Sequence, residues 1–145
     1  MKAMYPEIGR IIMAYEKRFK VFMKNALKDQ GLTVAEALVL LSLYETDGQT
    51  QDGLLSSIYY DKSVMARTMQ SLEKGGYISR SENPEDKRSW LFHLTENGRQ
   101  MKPVIVNALR SWCQLAFRDM DDAEAQMLLD NMRRIQSNIS ENGSE

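Results

Sequence analysis

Apolar residues recur at helical spacing in four stretches of the chain. The first carries Ile8, Ile12, Tyr15, Phe19, Phe22 and Ala26 on one stripe, and Gly31 offers a stop. The second carries Val34, Ala37, Leu38, Leu41 and Tyr44 and ends at Asp47-Gly48. Thr33 is a good N-cap for it, and Thr33 with Glu36 reads as a capping box. A third stripe, behind the cap Thr95, holds Met101, Ile105, Ala108, Trp112 and Leu115. The segment Asp119 to Asp122 separates it from a fourth, with Leu128, Met132, Ile135 and Ile139.

Two shorter helices lie between the second and third stripes. Thr50 caps Gln51 to Ile58. Asp61 caps Lys62 to Lys74, which Gly75-Gly76 terminates. The period then changes. Tyr77 to Ser81 and Ser89 to Leu94 read as strands joined by the polar loop Glu82 to Arg88, with a turn signal at Asn83-Pro84. The order is four helices, a hairpin and two helices. This predicts a mainly α chain with a small β-hairpin wing: a winged helix-turn-helix core flanked by N- and C-terminal dimerisation helices. The expected parts are an N-terminal helix over 1–31, the winged core over 32–95, C-terminal helices over 96–141 and a frayed tail at 142–145. The flanking helices are long and amphipathic, and so small a core cannot cover them all. A homodimer with interlocked terminal helices solves this; a monomeric helical bundle built on the winged core is the alternative.

Composition narrows the class. The 145 residues amount to one domain's worth, and 43% apolar with 27% charged residues suits a globular chain rather than a disordered one. The longest apolar run, Ala37 to Leu41, is too short to span a membrane. Met1 to Arg10 lacks the apolar core of a secretory signal, and the single Cys113 permits no intrachain disulfide. A reducing cytoplasm fits these features. With one histidine, one cysteine and no Gly-rich phosphate loop, the chain offers no catalytic constellation, no metal site and no cofactor motif, so an enzyme is not expected.

Net charge is −1, which removes any global basic signature, but the charges come in blocks. Seven bases and two acids fall in residues 1–28, six acids and no base in 29–61, and eight bases and five acids in 62–102. A neutral protein with a locally basic face has this pattern, as does an ordinary set of solvated faces.

The helix from Lys62 to Lys74 is the candidate recognition element. On a helical wheel Met65, Met69 and Leu72 face inward with Thr68 beside them, while Lys62, Ser63, Ala66, Arg67 and Gln70 lie on or near the other side. Arg67 can give a guanine a bidentate pair; Val64 and Ala66 can touch a thymine methyl. Ser63 and Gln70 can bond bases or phosphates, and Lys62 can reach a phosphate. At the hairpin tip Asp86 stands beside Lys87 and Arg88, and can brace a guanidinium for the narrow, negative minor groove. The bland alternatives are a solvated helix face and an incidental ion pair in a turn.

Together these residues resemble the MarR/SlyA family of transcription regulators. The resemblance runs from Thr33 to Pro103. It rests on Leu32-Thr33, Asp61-Lys62-Ser63, Arg67, the run Leu72 to Ile78, Asn83-Pro84-Glu85-Asp86-Lys87-Arg88, and Leu94-Thr95-Glu96-Asn97-Gly98. It implies a homodimer that binds double-stranded DNA at a pseudo-palindromic operator, mostly as a repressor, and that a small phenolic or aromatic effector releases. Ser63, Val64, Ala66 and Arg67 would face bases. Lys62 and Gln70 would reach phosphates or bases, and Asp86 and Arg88 match the family's braced wing arginine. The chain departs from the pattern at Leu55, where a small Ala is frequent, at Gly53 inside a helix, and at Tyr59, where the turn often has Gly. A winged-helix module that binds protein without specific DNA binding is the competing function.

Pro103 sits inside the third stripe and predicts a bend between DNA-binding and dimer parts. Tyr15, Leu43, Tyr44, Trp90 and Val104 are the expected lining of an effector pocket at that joint. Cys113 is expected to be packed and inert. The methionines, among them Met65, Met69, Met101, Met127 and Met132, are expected to fill the core.

Overall fold

The structure, a computed structural model, describes residues 2–58 and 60–142. Helix α1 spans Met4–Ala26 and leads through a 3-10 turn at Lys28–Gln30 to Gly31, whose φ of 68° is left-handed. Helix α2 is Val34–Glu45, α3 Gln51–Ser57 and α4 Lys62–Lys74. Strands β1, Ile78–Glu82, and β2, Trp90–Leu94, form the antiparallel hairpin. Helices α5, Glu96–Gln100, α6, Lys102–Ala116, and α7, Asp122–Asn142, complete the chain. The chain divides into two units, Met1–Trp112 and Cys113–Glu145. No described helix is long and apolar enough to cross a membrane.

The caps expected from the sequence are formed. Thr33 and Glu36 exchange side-chain bonds with each other's amides as a complete capping box. Thr50 Oγ1 accepts from the Gly53 amide and Asp61 Oδ1 from the Val64 amide. Gly53, a departure from the family pattern, thus sits in the first turn of α3, where its amide serves the cap. Leu55 packs partly buried against the core. The departure at Tyr59 lies outside the described residues, as do residues 143–145 of the expected tail; Asn142 ends α7.

The core of the first unit gathers residues far apart in the chain. Met23 and Leu27 from the end of α1 join Leu40 and Leu43 of α2, Leu54 of α3, Met65 and Leu72 of α4, Ile78 of β1 and Ile105 of α6. The hairpin pairs Ile78 with Leu94, Arg80 with Phe92 and Glu82 with Trp90. Gln49 adds an isolated antiparallel bridge to Phe92, and the Leu94 amide donates to Asp47 Oδ1. These bonds anchor the wing to the segment between α2 and α3.

Two glycines close the wing's base. Gly76 has φ of 77°, and the Thr95 hydroxyl donates to its carbonyl at 2.6 Å. The same hydroxyl accepts from the Gly98 amide and so caps α5. A Cβ on Gly98 would stand 2.1 Å from the Tyr77 carbonyl oxygen, so the approach of α5 to the hairpin requires glycine.

The bend expected at Pro103 is a break: α5 ends at Gln100, and α6 restarts at Lys102 with Pro103 in its first turn. Proline lacks the amide that would continue the ladder but is tolerated at a helix start. On α6, Trp112 donates Nε1–H to the Tyr15 hydroxyl at 2.9 Å and lies edge-on to the Tyr15 and Phe19 rings.

Other expectations are corrected. Met127 and Met132 are not core filler; they are 67% and 37% exposed, with Leu128, Leu129, Ile135 and Ile139 also exposed on α7. Cys113 is exposed, not packed, because it falls on the outer side of α6 next to buried Trp112. In the second unit Asp121 and Glu124 exchange side-chain bonds with each other's amides and start α7.

Candidate nucleic-acid interface

Helix α4 is amphipathic, as its periodicity predicts. Met65, Thr68, Met69 and Leu72 are buried, and Thr68 donates its hydroxyl to the Val64 carbonyl. Lys62, Ser63, Ala66, Arg67 and Gln70 are exposed, and Val64 is half-buried at the edge of the face. Asp61 accepts from the Ser63 hydroxyl at 2.7 Å as well as from the Val64 amide. The Ser63 bond, that amide bond and the Arg67 charge hold its carboxyl below the usual aspartate value.

Both flanks of this face are tied down. On one side the Ser71 hydroxyl donates to the buried Glu36 carboxylate, joining α4 to the first turn of α2. On the other, Glu73 holds Arg80 of β1 at 3.0 Å, and the Arg80 guanidinium lies 5.0 Å over the Trp90 ring. Between α4 and the hairpin runs a groove of about 240 Å³ whose lining includes Gln51, Ala66, Arg67, Gln70 and Arg80. Sequence reasoning misses the Glu73–Arg80–Trp90 clamp. Its only sequence signal is weak: Arg80 and Trp90 are diagonal neighbours across the hairpin register.

The wing loop is shaped by its own polar side chains. Asn83, buried, accepts from the Glu85 amide and donates to the Ser89 hydroxyl. Asp86 Oδ1 accepts from the Arg88 amide at 3.0 Å and from Arg88 Nε at 3.4 Å. The brace expected of Asp86 is therefore present, while the Arg88 side chain stays 93% exposed. Lys87 beside it is exposed. Among the described residues, Lys62, Arg67, Lys74 and Lys87 have no anionic partner within salt-bridge distance. The interface thus presents cations that the fold itself does not neutralise.

The sequence profile of the MarR family matches residues 32–90, which span this helix pair and most of the hairpin. The winged core of this chain is similar to the MarR family. The MarR-family match extends beyond the winged core in individual relatives. The HTH-type transcriptional regulator BilQ of Clostridioides difficile (strain CD3) is 26% identical over 128 residues, 88% of this chain and 86% of that protein. A MarR transcriptional regulator from Methanosarcina mazei Go1 has the same fold with a TM-score of 0.83 at 25% identity, covering 92% of this chain and 96% of that one. A MarR family structure from Listeria monocytogenes, complexed with 26mer DNA, gives a TM-score of 0.82 at 26% identity over 98% of this chain and 92% of that one. The shared fold and these relatives support a DNA-binding transcription regulator of the winged-helix type.

Of the five residues expected to line an effector pocket, Leu43, Tyr44 and Val104 lie in or against one core cluster, and Tyr15 and Trp90 have other partners. Tyr15 packs on Trp112, and Leu43 is 1% exposed within the core. The Tyr44 hydroxyl donates to the Gly98 carbonyl at 2.6 Å with Lys102 over its ring; burial pushes its pKa up to about 12. Val104 is partly buried against the core, and Trp90 lies 44% exposed on the wing beneath Arg80. His93, the single histidine, sits on β2 with Nε2 3.1 Å from the Ser81 hydroxyl.

Proposed function

We propose that the chain is a cytoplasmic, homodimeric repressor that reads a pseudo-palindromic operator in double-stranded DNA. The observation that carries this reading is the set of exposed cations on the outer side of α4 and at the wing tip: Lys62, Arg67 and Lys87, which have no anionic partner within salt-bridge distance among the described residues, and Arg88, which Asp86 braces but leaves 93% exposed. Helix α4 enters the major groove, with Ser63, Val64, Ala66 and Arg67 toward bases and Lys62 and Gln70 toward phosphates or bases. The wing enters the flanking minor groove, where Asp86 holds Arg88 by its backbone and Nε. In a dimer two such helices enter successive major grooves ~34 Å apart.

The homodimer is supported by the uncovered apolar residues of the terminal helices, such as Tyr5, Ile8 and Ile12 on α1 and Leu128, Met132 and Ile135 on α7. Release by a small ligand is the regulatory part of the reading; the break between α5 and α6 at Met101 offers a place where domain spacing can change.

Fluorescence anisotropy with DNA from upstream of the gene, a scrambled competitor and a salt series tests it. Tight binding that falls steeply with salt and resists the scrambled duplex is expected. Arg67→Ala should cost about 1–3 kcal/mol and relax base choice, whereas Arg88→Ala should weaken binding with less change in preference. Equal, weak binding to both duplexes would favour the protein-interaction module instead.

A further inference from the structure

The proposed DNA reading gives no role to a groove beside α1 and α2. The C-terminal half of α1, the outer face of α2 and the end of α3 line a space of about 420 Å³. Phe19, Leu41 and Ile58 supply apolar lining, and Tyr60 contributes its ring. Glu16, Glu45 and Lys20 are the charged groups around it.

A cation of the protein already occupies the polar end. The Lys20 ammonium is hydrogen-bonded to the Glu16 carboxylate and lies 5.9 Å from the centroid of the Tyr60 ring. A carboxylate beside an aromatic face is the pairing that recognises an organic ammonium. Glu16 also holds the Lys20 ammonium above its ordinary pKa, so this cation stays charged across the neutral range. The groove therefore carries two carboxylates against one ammonium. That ammonium is engaged by Glu16, whereas Glu45 has no hydrogen-bond or ion-pair partner among the described residues. An aromatic carboxylate entering here would meet Glu45 and find no free positive charge. A cation with an apolar body would find the opposite: a carboxylate to pair with, a ring to stack on and an apolar trough for the rest.

We propose that this groove binds an organic cation with an aromatic or apolar body, which takes the place of the Lys20 ammonium between Glu16 and the Tyr60 ring. The site is distinct from the pocket expected near Leu43, since Leu41 and Glu45 lie on the other side of α2 from that buried residue. Tyr60 immediately precedes Asp61, the cap of α4. An occupant bearing on Tyr60 therefore acts on the start of the helix assigned to the major groove. This coupling rests on the DNA reading; binding to the groove does not.

Isothermal titration calorimetry of the full chain, without DNA, compares two probes of one shape and opposite charge: naphthylmethyl-trimethylammonium and naphthylacetate. The ammonium probe is expected to bind and the acetate not. Glu45→Gln, an exposed and isosteric change, and Tyr60→Ala should each weaken the ammonium probe by about threefold to fivefold. Lys20→Met should tighten it by a similar factor, because the seat is vacated and Glu16 freed. No heat with the ammonium probe, equal or tighter binding of the acetate, or weaker ammonium binding by Lys20→Met would each overturn the proposal. Where calorimetry shows binding, anisotropy with the operator duplex should show DNA affinity falling as the ammonium probe is added, an effect lost in Tyr60→Ala. A chain that binds no DNA refutes the DNA reading and leaves the calorimetric test of the groove unaffected.

Discussion

At Gly98 a single hydrogen atom in place of a methyl decides whether the wing can close. The missing Cβ would lie 2.1 Å from the Tyr77 carbonyl oxygen, a backbone atom that cannot turn aside as a side-chain end can. Gly98→Ala should lower the free energy of unfolding by about 1–3 kcal/mol, read by urea denaturation, through the strain of overpacking. An unchanged midpoint would mean that α5 moves freely away from the hairpin. The motif from Leu94 to Gly98 was legible in the sequence, but its reason was not. Thr95 serves as a local cap, which spacing reveals; its hydroxyl also bonds the Gly76 carbonyl, 19 residues back, which spacing does not.

At the scale of elements, α4 is held by bonds that join it to neighbours on both sides. Glu36–Ser71 links it to α2, and Glu73–Arg80 links it to β1, where Trp90 carries the guanidinium. Arg80→Ala should therefore loosen the wing against α4 and weaken operator binding while leaving the slope of log affinity against log salt unchanged. A slope smaller by about one would instead make Arg80 a phosphate contact in its own right. The limits of α2, α3, α4 and the two strands were readable within a residue or two, because caps, glycines and the change from helical to alternating period are local signals; α1 instead ends at Ala26, short of the Gly31 stop, and the helix expected behind Thr95 is broken at Met101. The ties between elements were not. Glu36 and Ser71 are 35 residues apart, and nothing in either local pattern points to the other.

For the whole molecule the unsolved cover is the apolar surface of the terminal helices. Leu128, Met132 and Ile135 recur at helical spacing on α7 and are 38%, 37% and 41% exposed. If a second copy covers them, Ile135→Asp should convert the protein to monomers in sedimentation velocity and abolish operator binding at concentrations where the wild type is bound, since each half-site alone binds weakly. A monomer–dimer equilibrium equal to that of the wild type would place the subunit contact elsewhere. The amphipathic stripes announced these helices from the sequence. They also led to the expectation that Met127 and Met132 fill a core, because periodicity identifies an apolar face without saying what lies against it.

Legible in the sequence alone were the winged helix-turn-helix core, its resemblance to the MarR family, and the side chains on the outer face of α4 and the wing tip. Those follow from caps, periods and motifs within a few residues of one another, where local backbone sterics and hydrogen bonding decide the outcome. What surrounds those side chains came from packing across the fold. It joined Tyr15 to Trp112 across 97 residues, set Arg80 over Trp90, and opened a groove beside Tyr60 with Lys20 at its polar end. Close packing brings together side chains that no period relates, so their contacts, and the chemistry that depends on them, exist only once the chain has folded.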